Sequence, residues 1–317
     1  MNIIITGAAG FVGRHLAGLL LEQNHKILGI DINPDNIDSR IQSRDIDLTS
    51  GDKVDGLIEE FKPDRIYHLA AQASVSHSWE NPIDTFSTNV FGGVNLLNSV
   101  KRHRPGCRVL AVCTAEEYGE PDQQQAIDEK FPIFPQNPYA ISKAALDFFA
   151  LTYSKAYRLN VLVTRSFNHM GPGQSDRFVC SDFARQIAGI EQGRTDPVIK
   201  VGNLEAYRDF LDVRDVVAAY ISILEKGKNG QAYNVCSGKK IKIADILGTL
   251  IGLSTASDRI EVKIDEKKFR PIDIPSIYGD NSRLKADTGW QPGYRLEQSL
   301  ADTLNWWRDK VKKEERS

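Results

Sequence analysis

Three features of the sequence predict an α/β fold, a doubly wound parallel sheet followed by a smaller C-terminal region. The apolar segment "NIIIT" at residues 2–6 runs directly into a glycine turn and a helix-like stretch. Strand-like and helix-like segments then alternate through residue 165, the pattern of a buried parallel sheet. Beyond it come polar connectors and shorter elements, as expected of a second unit. At 317 residues the chain is long enough to bury a large core in such an arrangement.

After the first strand, "GAAGFVGRHLAGLLLEQN" carries Gly7, Gly10 and Gly13, a G-x-x-G-x-x-G spacing one residue longer in its first interval than the usual dinucleotide fingerprint. Glycine permits a tight turn and close approach of a diphosphate. The helix opening at Phe11 and Val12 directs its first amides at that charge. The turn therefore predicts a Rossmann-type NAD(P) site. The second strand, "HKILGIDI", ends near Asp31, whose carboxylate is placed to accept both hydroxyls of the adenosine ribose and to repel a 2′-phosphate. NADH is the favoured cofactor on this reading, with NADPH accommodated if a neighbouring loop compensates. "SRDIDLTS" supplies a third strand with Asp47 and Leu48 beside the adenine. "KPDRIYHLAAQASV" supplies a fourth, whose exit through Leu69, Ala70 and Ala71 is small enough to meet a flat cofactor. His68 within it reads as a packed, hydrogen-bonded residue.

"TNVFGGVNLLNSVKR" has a helical apolar pattern, and "CRVLAVCTAEEYG" is the next strand, with Thr114, Glu116 and Tyr118 at the C-terminal end where parallel sheets place ligands. In "PQNPYAISKAALDFF", Ala140, Ala144, Leu146, Phe148 and Phe149 give an apolar helical pattern, and Tyr139 and Lys143 share a face four residues apart. An ammonium beside a phenol favours the phenolate. Thr114 is placed to hold a substrate oxygen, Tyr139 to move its proton, and Lys143 to tune the tyrosine while bonding the cofactor ribose. That division of labour suits hydride transfer at a carbonyl.

A formal charge of −2 argues against a polyanion-binding surface, so no nucleic-acid partner is expected. No stretch approaches bilayer-spanning length, and the chain opens on a strand without a positively charged leader, so a cytoplasmic location is expected. Cys107, Cys113, Cys180 and Cys236 form no CxxC and read as apolar fillers of a reducing compartment. His68, His77 and His169 are too dispersed to predict a metal site.

"TGAAGFVG", Asp31, "HLAA", "STNVFG", "CTAEEYG", "NPYAISK" and "SFNHMGPGQ", in that order, resemble the extended short-chain dehydrogenase/reductase family of nucleotide-sugar enzymes over nearly the whole chain. The resemblance implies Thr114, Tyr139 and Lys143 as the catalytic triad, Asn89 as a support of the site, and a homodimer through the helices that carry Asn89 and Tyr139. It divides the chain into a dinucleotide region, residues 1–165 with a returning segment near 210–228, and a nucleotide-sugar region, residues 166–209 and 229–317. "RDFLDVRD" and "RPIDIPSIYGD" look like the family's substrate-phosphate motifs, implying Arg208 and Arg270 as diphosphate ligands; Asn168, Val179 and Lys200 join them as substrate contacts.

Within the family, the pattern is similar to enzymes that produce or reduce GDP-4-keto-6-deoxy-D-mannose, making that GDP-linked sugar the expected substrate. Glu116 stands where dehydratases keep a base for water elimination, but similar reductases retain it. Ala115 replaces a Ser or Asp common in dehydratases and tilts the expectation toward reduction at C4.

Overall fold

A computed structural model describes residues 1–120, 125–269 and 272–314. From the N-terminus, β1 (Asn2–Thr6), α1 (Phe11–Leu21), β2 (Lys26–Asp31), β3 (Gln42–Asp45), α2 (Gly51–Phe61), β4 (Arg65–His68), the short α3 (Val75–Glu80) and α4 (Pro82–Phe86), α5 (Gly92–His103), β5 (Arg108–Thr114), α6 (Pro138–Tyr157) and β6 (Asn160–Ser166) carry the alternation. The remainder contributes β7 (Asn168–Met170), α7 (Val179–Glu191), β8 (Val198–Val201), β9 (Tyr207–Arg208), β10 (Phe210–Asp212), α8 (Val213–Lys226), β11 (Ala232–Val235), β12 (Ile241–Lys242), α9 (Ile243–Gly252), β13 (Glu261–Ile264), α10 (Ser282–Thr288) and α11 (Leu296–Lys313).

Seven parallel strands form the main sheet in the order β11-β6-β5-β4-β1-β2-β3. The pleat sends alternate residues of β1 to opposite faces, and both faces are buried. Ile3 and Ile5 join Leu16 and Leu20 of α1, Val216 and Tyr220 of α8 and Leu284 of α10. Ile4 joins Leu57 of α2, Leu96 of α5 and Leu146 of α6. Each such side chain contributes about 1.5–3 kcal/mol through burial, which explains why a continuous apolar run, without alternation, marks this strand. Strand order reverses between β1 and β4, so the crevice beyond their C-terminal ends is the switch point at which such sheets bind ligands.

The segment returning to the sheet is longer than the expected 210–228. α8 packs on α1, but β11 also pairs with β6, from Ala232 opposite Val163 to Val235 opposite Ser166, and α10 packs on α8 and β11. The buried run Ala232–Val235 drives this return: it is apolar enough to complete an interior sheet edge. A separate cluster holds the other unit together, with Phe183 and Ile187 of α7, Ile246 and Leu250 of α9, and Leu300, Leu304 and Trp307 of α11. The Trp307 indole N–H donates to Ser181 Oγ at 2.7 Å, satisfying its polar atom within that core.

Helix α6 is capped by Asn137, whose side chain accepts the Ala140 N–H at 2.8 Å, with Pro138 in its first turn. Its buried face is more polar than expected. Ala140, Ala144 and Leu146 point inward, but so do Ser142, Lys143 and Asp147, whereas Phe148 and Phe149 are 56% and 41% exposed.

Candidate functional site

The glycine turn fits a dinucleotide. Gly7 adopts φ +70°, and a Cβ there would stand 2.8 Å from the Ala70 nitrogen; on Gly13 it would stand 2.3 Å from the Gly7 carbonyl oxygen. The turn is thus a cradle in which backbone takes the place of side chains. Gly10 caps α1 without a side-chain acceptor, leaving the first-turn amides to an anion. Leu69, Ala70 and Ala71 lie across the switch point, with the Ala70 N–H donating to Thr6 Oγ1 at 3.2 Å. Phe11 and Val12 open α1. Asp47 accepts both the N–H and the hydroxyl of Thr49, at 2.9 and 2.8 Å, and buried Leu48 packs against Gly92.

Asp31 is engaged by the turn itself. Its carboxylate accepts the Ala9 N–H at 3.0 Å and the Asn33 N–H at 3.2 Å, tying the end of β2 to the glycine turn and to the following loop.

Thr114 ends β5 and caps a 3-10 turn, Ala115–Tyr118. Its hydroxyl accepts the Glu116 N–H at 3.3 Å, while its own N–H donates to the Glu117 carboxyl at 3.2 Å. Tyr139 comes from the first turn of α6 and reaches the same place. Burial and then the Glu116 charge raise the phenol above its ordinary range, with the Thr114 hydroxyl opposing. The phenol is therefore held in its protonated form. The Lys143 ammonium donates to the Val112 carbonyl at 2.6 Å. Burial lowers Lys143, opposed by Cys113 and Glu117. Glu116 is held by Asn137 Nδ2 at 2.8 Å.

Asn89 lies fully buried in a π-helical turn. It accepts the Gln72 N–H at 2.8 Å and donates to the Gln72 carbonyl at 3.1 Å and Ser142 Oγ at 2.8 Å. Ser142 in turn donates to the Tyr139 carbonyl at 2.7 Å. The loop after β4 is thereby tied to the first turn of α6. His68 is buried, bonded to Thr6 Oγ1 at 2.9 Å and lowered by burial to about 3, so its ring is neutral. Among the described residues no group of three His, Cys, Asp or Glu is arranged to hold a metal ion.

Helix α1 also grips the loop that follows β7. His15 Nε2 bonds the Pro172 carbonyl at 2.9 Å, Arg14 donates to the Gly173 carbonyl at 3.2 Å, and the Phe11 and His169 rings stack at 6.1 Å. Asn168 is exposed on β7 beside this grip, and Val179 begins α7.

Arg208 is braced: it donates to the Tyr207 and Ile274 carbonyls and pairs with Asp273 at 2.7 Å. Lys200 is not gathered with Thr114, Tyr139 and Lys143. Ile199 and Val201 point into the core, so β8 turns Lys200 outward, into a groove of about 620 Å³ between α7 and α11. Arg270 lies outside the described residues. Residues that the sequence reading missed are Glu117, Asp147 and Arg165, buried directly behind Thr114. The spacing of Tyr139, Lys143 and Asp147, four and eight residues along one helix face, was their available signal.

A dinucleotide cradle beside a threonine, tyrosine and lysine at the strand ends of a doubly wound sheet defines the class. The chain is an NAD(P)-dependent oxidoreductase of the extended short-chain dehydrogenase/reductase type that handles nucleotide sugars. More narrowly, the family model described as GDP-mannose 4,6 dehydratase matches residues 4–303, and the chain belongs to that family. It is 34% identical over 314 residues to a GDP-6-deoxy-D-mannose reductase of Pseudomonas aeruginosa, covering 99% of both chains. The structure of RMD from Pseudomonas aeruginosa complexed with NADPH superposes with a TM-score of 0.85 at 33% identity, covering 98% of this chain and 99% of that one. A UDP-glucose 4-epimerase from Thermotoga maritima, solved with UDP-glucose, gives a TM-score of 0.89 at 25% identity, covering 98% of this chain and 100% of the other.

These findings correct the cofactor expectation. The similar reductase holds NADPH, so a preference for NADH is unsupported. Asp31, on which that expectation rested, also holds the glycine turn through the Ala9 and Asn33 amides, so its presence at the end of β2 does not by itself set the choice of cofactor.

Proposed function

We propose that this chain reduces the C4 ketone of GDP-4-keto-6-deoxy-D-mannose to a GDP-6-deoxyhexose, GDP-D-rhamnose, with NADPH as reductant. The observation that carries the reading is likeness over 99% of both chains to a GDP-6-deoxy-D-mannose reductase. NADPH, when bound along the glycine turn, supplies the hydride. Thr114 holds the C4 oxygen, and Tyr139 gives it a proton as negative charge develops there. Burial suits Tyr139 to this direction, because it keeps the phenol protonated. Lys143 holds the cofactor ribose, and Asn89 keeps the first turn of α6 in register with the loop after β4. Asn168, Val179 and Arg208 border the sugar nucleotide.

A second reading, dehydration of GDP-mannose, would use the Glu116 carboxylate beside Tyr139 as the base for elimination, a residue that similar reductases also keep. The deciding experiment supplies GDP-4-keto-6-deoxy-D-mannose and NADPH, follows the cofactor's absorbance and identifies the product. Stoichiometric loss of NADPH with formation of a deoxyhexose supports reduction. Absence of loss, together with conversion of GDP-mannose to a keto sugar without added cofactor, overturns it in favour of dehydration.

The assembly we propose is a homodimer through α4, α5 and α6, supported by exposed Phe91, Phe148 and Phe149 on that side of the sheet. A cytoplasmic location is supported by the four cysteines, all buried and free. Among the described residues no helix is long and apolar enough to cross a membrane.

A further inference from the structure

Behind the Thr114, Tyr139 and Lys143 cluster, two carboxyl groups face one guanidinium. Glu117 follows β5, Asp147 lies on α6 one turn beyond Lys143, and Arg165 is on β6; both acids are fully buried. Arg165 Nε donates to Asp147 Oδ2 at 2.7 Å, but stands 3.7 Å from Glu117 Oε2, too far for a hydrogen bond. Glu117 Oε1 accepts the Thr114 N–H at 3.2 Å. Two buried oxygens then remain without a partner among the described residues, Glu117 Oε2 and Asp147 Oδ1. Both carboxyl groups converge on the same buried guanidinium, Arg165 Nε lying 2.7 Å from one and 3.7 Å from the other. Two buried carboxylates around one guanidinium repel, and an unpaired buried polar atom costs about 1–3 kcal/mol, more if charged. One proton between them satisfies both oxygens and balances the pair against Arg165.

We propose that Glu117 is held as a neutral carboxylic acid donating its proton to Asp147, and that this bridge positions the reacting groups by tying the turn of Thr114 to the helix of Tyr139 and Lys143. Its kinetic consequence rests on the reductase reading; the bridge itself does not. The surrounding charges are consistent with it. Burial first and then Asp147 push Glu117 well above the carboxylate range, opposed by the Thr114 amide and Arg165. The other titratable groups facing it are Cys113 on β5, Tyr118 in its own turn, and Tyr139 and Lys143 on α6. Lys143 gives its ammonium to the Val112 carbonyl and leaves the acid pair to Arg165.

The test is isotope-edited infrared spectroscopy of the full chain, with glutamate side chains carrying 13C, alongside steady-state kinetics of E117Q and E117L. The expected result is a protonated-carboxyl C=O band in the wild type that E117Q removes. Glutamine can still accept from Thr114 and donate to Asp147, so its kcat should stay within about threefold of wild type, whereas E117L should lower kcat about tenfold with KM within about twofold. A folded wild type lacking the band overturns the bridge whatever the activity. Wild-type kcat in E117L overturns its positioning role; should E117L not fold, a loss of kcat in E117Q equal to about tenfold does the same, because the conservative amide should rescue. Failure of the wild type to oxidise NADPH would instead sink the reductase reading, and the infrared band would still decide the bridge.

Discussion

Replacing Tyr139 with phenylalanine removes one hydroxyl from the centre of the candidate site and almost nothing else. The Thr114 hydroxyl opposes the rise of the phenol, an interaction worth at most about 1 kcal/mol. Thr114 keeps its Glu116 N–H donor and its place at the end of β5, so the fold should lose no more than that and the melting temperature should fall by only a few degrees. Turnover should respond very differently. A positioned general acid contributes about 10²–10⁴-fold, equivalent to roughly 3–5 kcal/mol of barrier. NADPH affinity, read by fluorescence titration, should stay within about threefold, because the glycine turn is untouched. The pH profile supplies an independent check. Burial raises the phenol above its ordinary 10.0, so the acid form needed for reduction persists as pH rises, and wild-type kcat should show no loss from tyrosine ionisation below that value. Y139F retaining more than about a third of wild-type kcat at saturating substrate would refute Tyr139 as the proton donor.

Gly13→Ala should weaken NADPH binding more than about tenfold and lower stability by about 1–3 kcal/mol, since its Cβ would meet the Gly7 carbonyl oxygen at 2.3 Å; Gly18→Ala, inside α1 with nothing within 4 Å, is the control, leaving NADPH binding unchanged and raising stability by about 0.5–1 kcal/mol by the same titration and urea unfolding. His68→Gln should flatten the acid limb of thermal stability. The folded ring is lowered from 6.5 to about 3, so unfolding takes up a proton below 6.5, and the ring's contribution, present above that pH, is lost as pH falls through the window toward 3. An unchanged slope of melting temperature between those pH values would count against it. Asn89→Ala removes three buried hydrogen bonds joining Gln72 to Ser142 and should cost about 2–4 kcal/mol on urea unfolding, with a fall in kcat that an Asn89→Asp variant does not restore, since Asp cannot donate to Ser142. Asp31→Ala should loosen NADPH binding by releasing the Ala9 amide; tighter binding would show instead that the carboxylate confronts the 2′-phosphate.

The dinucleotide half was legible because its signals are local. Three glycines at fixed spacing need no partner to be understood, and the apolar runs of β1 and β5 announce strands buried on both faces. The Thr114, Tyr139 and Lys143 cluster was legible through strand ends and helical spacing. What spacing could not convey was direction. Lys143 and Asp147 lie buried because β5 and β6 supply polar partners from far along the chain, Val112 and Arg165, which helical spacing alone does not show. Phe148 and Phe149 read as core yet remain exposed. The NADH preference drawn from Asp31 failed for a similar reason: sequence alone does not reveal that this carboxylate also braces the Ala9 and Asn33 amides. The outward direction of Lys200 follows from strand alternation, a signal that "VIKV" did contain.

The late arrival of β11 has a consequence for the chain during its synthesis. When residues through β6 have left the ribosome, six strands of the sheet exist, but β6 still has an open edge whose partners, Ala232–Val235, lie some seventy residues farther on. An unfinished edge rich in valine and leucine is a template for pairing with other chains. Truncation between β6 and residue 232 should therefore yield aggregates in place of a free-standing dinucleotide domain, because the intervening segment must be made before the sheet can close.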